Sequence, residues 1–97
     1  MTPEGSPRVR VVRVVVLDGS RIETKAGFLD SVAAALGFPA YFGGNWDALD
    51  ECLGDITEET VVEWADAERF AHADPEGYEV AIGCFTDTTG LVTLRLV

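Results

Sequence analysis

Apolar and polar positions alternate along Val9-Arg10-Val11-Val12-Arg13 and then give way to an unbroken apolar run, Val14-Val15-Val16-Leu17, ended by Asp18-Gly19. A β-branched run that loses its alternation predicts a strand buried on both faces, the kind found in parallel sheets covered by helices. The period lengthens after Thr24, which caps a helix over about Lys25–Leu36 with Phe28, Leu29, Val32 and Leu36 on its inner face. Gly37 suits a left-handed stop and Pro39 prevents resumption. Asn45 caps a second helix that runs through about Leu53 and is ended by Gly54, with Trp46, Leu49 and Leu53 forming its core stripe. Thr60-Val61-Val62-Glu63-Trp64 reads as a second strand, and Ala65–Ala71 as a short helical turn. Asp74-Pro75-Glu76 combines a cap, a proline at the first helical position and an acid in the first turn. Tyr78, Ala81, Ile82 and Phe85 follow at helical spacing, which favours a helix over the hairpin that Val80, Ile82 and the threonines would tolerate. Leu91–Val97 closes the chain as a strand.

The order β-α-α-β-α-β, without internal repeat or linker, predicts a small α/β fold: a three-stranded, mostly parallel sheet flanked by three to four helices. Ninety-seven residues suffice for one domain over 9–97, preceded by a flexible tail over 1–8 that contains Thr2-Pro3-Glu4-Gly5-Ser6-Pro7. No apolar run reaches the length of a membrane span and no signal segment opens the chain, so a cytoplasmic location is expected.

Charge changes the picture. Seventeen acids against seven bases give a formal net charge of −10, and from Asp47 to Glu68 there are nine acids and no base. Nucleic acid and anionic membrane are poor direct ligands for such a surface, because both are bound through Lys and Arg. Two accounts remain: solubility, or a field that steers a basic partner.

The acids concentrate on the second helix. Asp47 and Glu51 are four residues apart and therefore neighbours, and Asp50 adjoins them. Like charges at this spacing cost a helix roughly 0.2–0.5 kcal/mol per pair. Asp47 recovers part of that in the first turn, where the helix dipole favours anions, whereas Glu51 and Asp55 lie too far along. A solvated polar face explains Asp47 well and the others poorly. Ahead of the cap stand two aromatics and two glycines, Tyr41-Phe42-Gly43-Gly44. Either both rings enter the core, or one stays beside the acids with the composition of an interface anchor.

Catalytic readings find little support. His72 is the sole histidine and has no evident nucleophile beside it. Ser20, Ser31, Cys52 and Cys84 lack a partner motif. Cys52, among apolar neighbours, reads as a reduced, buried thiol. Asp47-x-x-Asp50-Glu51 lacks the loop ligands of a calcium hand, and Gly43-Gly44 is followed by no lysine that would hold phosphate. The expectation is a binding protein that needs no metal, cofactor or small-molecule substrate.

The segment Pro39-x-Tyr41-Phe42-Gly43-x-Asn45-x-Asp47-Ala48-Leu49-x-x-Cys52-Leu53 resembles the signature of the barstar family, intracellular inhibitors of the ribonuclease barnase. The resemblance is tight over this segment, loose over Val11–Trp64 and weak from Ala65 onward. It implies a three-stranded parallel sheet flanked by helices. It also implies that Tyr41, Asp47 and Glu51 carry inhibition of a basic secreted ribonuclease by filling its active-site groove. Gly43 and Asn45 would then shape the loop, and Trp46, Leu49 and Leu53 would seat the helix. The chain departs from the family at Glu51, where the family has an aspartate, at Asp50, where it has an aromatic, and at Gly44, where it has an acid. A further family acid on the last helix corresponds best to Asp87. These departures suggest a target related to barnase and not identical to it.

Overall fold

The computed structural model describes residues 11–39, 43–87 and 90–97. Along them run β1 (Arg13–Asp18), α1 (Lys25–Leu36), α2 (Trp46–Gly54), β2 (Thr60–Ala65), α3 (Ala67–Ala73), α4 (Pro75–Asp87) and β3 (Val92–Leu96). The expected tail at 1–8 lies outside the described residues.

The three strands form a parallel sheet with β2 in the middle. Arg13 lies opposite Thr60 and Thr60 opposite Val92, while Leu17, Trp64 and Leu96 line up towards the other end. Val15, Leu17, Val62, Trp64, Val92 and Leu94 therefore share the face that packs into the core. α1 packs on β1 and α4 on β3, and α2 and α3 both pack against α4.

The two-sided burial expected of β1 is corrected by this arrangement. Val14 and Val16 remain 55% and 61% exposed, because the helices cover the opposite face of the sheet. On the open face Arg95 and Glu63, paired in register across β3 and β2, form an ion pair at 3.6 Å.

The helix ends follow local chemistry. The Thr24 hydroxyl accepts the Gly27 N–H at 3.0 Å, and Gly37 closes α1 at φ +69°. Asp74 caps α4 by accepting the Gly77 N–H at 3.0 Å, so the helix reading of this segment holds over the hairpin. The expected turn at Ala65–Ala71 becomes a helix shifted two residues onward. β2 runs through Ala65, which pairs with Asp18, and Asp66 makes the corner at φ +54°.

Phe28 sits at the centre of the core, fully buried. Its ring centroid lies 4.9 Å from Trp64, 5.5 Å from Phe70 in a stacked pair, 5.9 Å from Trp46 and 6.5 Å edge-on from Phe85. Such pairs contribute about 0.5–1.5 kcal/mol each beyond their area burial.

Gly19 marks the tightest backbone approach. A Cβ there would lie 2.0 Å from the Ala65 carbonyl oxygen and 2.8 Å from that of Asp66, both main-chain atoms. Beside it, Asp18 accepts from the Ser20 N–H and hydroxyl at 3.0 and 2.6 Å, which holds its carboxyl below the usual aspartate range. Gly19→Ala should therefore lower stability by about 3 kcal/mol, against about 1 kcal/mol for the cap variant Thr24→Ala. Urea unfolding checks this through the two midpoints, with equal stabilities contradicting the packing at Gly19.

Candidate functional site

α2 is fixed before its acids are considered. The Asn45 side chain accepts the Ala48 N–H at 2.7 Å, and Gly44 precedes it at φ +67°, a conformation that favours glycine. Leu49 and Leu53 are fully buried, and Trp46 packs on Phe28 while the Lys25 ammonium stands 5.5 Å from the centroid of its ring. With that stripe pinned to the core, helical geometry turns Asp47, Asp50, Glu51 and Asp55 outward, and all four are exposed.

These acids divide between two sides of the helix. Asp47 and Asp50 border a groove of about 430 Å³ between α2 and α4, facing Val80, Gly83, Cys84 and Asp87. Glu51 and Asp55 lie on the α1 side, around Cys52 and Ile56. Among the described residues, no ion pair or side-chain hydrogen bond engages Asp47, Asp50, Glu51, Asp55 or Asp87. The cations are used elsewhere: Arg69 pairs with Glu23, Arg95 with Glu63, and Arg13 donates to the Ala35 carbonyl.

The two thiols register the field of these acids. Burial, followed by the charges of Asp50, Asp87 and Asp47, pushes the Cys84 thiol up. Burial, then Asp55 and Glu51, does the same for Cys52. Both cysteines are free, and Cys52 is half-buried, a correction of the buried thiol expected from its neighbours; it stands on the flank of α2, off the stripe of Leu49 and Leu53.

Of the residues the sequence singled out, Asp47, Asp50 and Asp87 thus share one groove, Glu51 and Asp55 another, and Gly43, Gly44 and Asn45 form the exposed entry to α2. Tyr41 and Phe42 lie outside the described residues. Val80, Gly83 and Cys84 were not anticipated as groove residues. Their spacing with Asp87, at i, i+3, i+4 and i+7, was the available signal for one helix face. Trp46, read only as core, also lines the groove.

A larger hollow, about 630 Å³, lies beyond β1 among Ser20, Glu23, Asp66, Arg69 and His72, bridged by the Arg69–Glu23 pair and remote from α2. Among the described residues no group of three or more His, Cys, Asp or Glu side chains could hold a metal ion, and no helix is long and apolar enough to cross a membrane.

One family model, described as Barstar (barnase inhibitor), matches residues 12–94. No curated protein matches the chain.

If Asp50 and Asp87 act on Cys84 as described, neutralising either should favour the thiolate. In a Cys52→Ser background, Asp50→Asn and Asp87→Asn should each speed alkylation of Cys84 by iodoacetamide at pH 8. The gain should shrink as salt screens exposed charge. Unchanged alkylation rates in both variants would contradict the shared groove.

Proposed function

The chain belongs to the barstar family, and on that premise we propose that it is a protein inhibitor of a microbial extracellular, guanyl-preferring, barnase-like ribonuclease. The observation that supports this best is the exposed acidic face of α2, whose carboxylates have no cation beside them. An exposed carboxylate without an internal partner is available to an external one. A ribonuclease that holds RNA phosphates with Arg, Lys and His side chains offers such partners.

In this reading Asp47, Asp50, Glu51 and Asp55 on α2, with Asp87 from α4, take the places of phosphates, while Tyr41, Phe42, Gly43, Gly44 and Asn45 supply the entry loop. The inhibitor occludes RNA and does no chemistry. It is no enzyme, needs no cofactor and binds no nucleic acid itself. Its partner is the basic secreted ribonuclease of the same organism, met in the cytoplasm before export.

Two physical effects favour tight binding. Opposed charges raise association above the ~10⁵–10⁶ M⁻¹s⁻¹ of unsteered docking. Seating α2 on the core through Trp46, Leu49 and Leu53 also removes an ordering cost that a flexible segment would bear on binding.

Gly44, Asp50 and Glu51 favour a second reading. Glu51 reaches one methylene further than the aspartate of the family, Asp50 exchanges aromatic contact for charge, and Gly44 lacks the family's acid. An antitoxin or immunity module of this fold, directed at a different basic toxin protein, would accommodate all three.

Titrating the protein into an RNA-cleavage assay with guanyl-preferring microbial ribonucleases separates the readings. Asp47→Ala and Glu51→Ala should each weaken inhibition by about 2 kcal/mol or more, with urea unfolding unchanged. Inhibition by both variants at wild-type strength would place the binding face elsewhere. Capture of a basic non-nuclease, with RNA left unprotected, would select the toxin reading.

A further inference from the structure

A hollow of about 520 Å³ opens where α1 and α2 end, walled by Leu36, Phe38 and Pro39 on one side and by Glu51, Asp55 and Ile56 on the other. Leu36 is buried, and Phe38 and Ile56 pack against the core, so the floor is apolar. Glu51 and Asp55 are exposed at the rim. The hollow is thus greasy below and anionic above.

The backbone adds to that charge. α1 closes at Gly37 and α2 at Asp55, and both residues border the hollow. The negative ends of two helix dipoles therefore meet in one place. The end of α1 already engages a guanidinium within the protein, since Arg13 Nη2 donates to the Ala35 carbonyl oxygen at 3.2 Å. That internal contact leaves Glu51 and Asp55 without a salt bridge among the described residues.

An anion is repelled here, and a bare ammonium would use the rim without the floor. A side chain with an apolar stem and a charged planar head uses both. We propose that this hollow is a socket for an arginine of the partner protein, its guanidinium on Glu51 and Asp55 and its methylenes on Phe38, Pro39 and Ile56. The inference rests on the reading of α2 as the partner-binding helix. With Asp47, Asp50 and Asp87 on the other flank, α2 becomes a ridge between two cation sites about 10 Å apart, the width of a helix. Partners are then selected by the spacing of their basic side chains as well as by net charge.

The test uses the whole chain, isotope-labelled, titrated with N-acetyl-arginine amide and followed by backbone amide NMR. N-acetyl-citrulline amide, which has the same shape without the charge, is the control. The arginine compound should move the amides of Gly37, Phe38, Glu51, Asp55 and Ile56 along a saturating curve, the citrulline compound should not, and Asp55→Asn should weaken the arginine compound roughly fivefold. Shifts spread equally over Glu58, Glu68 and Glu76 would overturn the socket. RNA-cleavage assays separate the two claims. If the wild-type chain inhibits no ribonuclease but the arginine compound still saturates the hollow, the ribonuclease target falls and the socket stands. If Asp55→Asn and Phe38→Ala both inhibit at wild-type potency, the socket falls and the inhibitor stands.

Discussion

The Phe28 ring is the contact on which the architecture depends. It projects from α1 and meets Trp46 of α2, Trp64 of β2, Phe70 of α3 and Phe85 of α4. No other ring in this cluster touches so many separate elements. Aromatic faces and edges have preferred mutual geometries, so one ring with four neighbours constrains how four elements sit relative to each other. The groove between α2 and α4 inherits its width from that constraint, since Trp46 and Phe85 both rest on Phe28 and belong to the helices that border it.

Much of this fold was legible because it is decided locally. Thr24, Asn45 and Asp74 each cap the helix that follows them through a side-chain oxygen, and a cap needs only neighbours two or three residues away. The stripe of Phe28, Leu29, Val32 and Leu36 was likewise readable from spacing. Layer number was not. Val14 and Val16 have the composition of two-sided burial, yet whether a second helical layer exists depends on elements distant in sequence. The position of α3 escaped for a similar reason: β2 extends to Ala65 because Asp18 is there to pair with it. The candidate site divides in the same way. The outward acids of α2 follow from its inward stripe, while the partnership of Asp47 and Asp50 with Val80, Gly83, Cys84 and Asp87 joins segments thirty residues apart.

Electrostatically the molecule keeps its cations away from α2. Arg13 and Arg69 secure the ends of α1 and the link between α3 and the segment before α1, Arg95 pairs on the open sheet face, and Lys25 lies over the Trp46 ring. Each lies near a structural junction. The acids of α2 take no part in such junctions, so their mutual repulsion is tolerated by the fold and not relieved within it.

That separation has an evolutionary consequence. α2 carries its folding information on Trp46, Leu49 and Leu53 and its chemical display on the residues between them. Substitutions in the display leave the buried half untouched, so a lineage could exchange one recognition pattern for another by drift through intermediates that all fold. A helix divided in this way lets an inhibitor keep pace with a changing adversary without rebuilding its own interior.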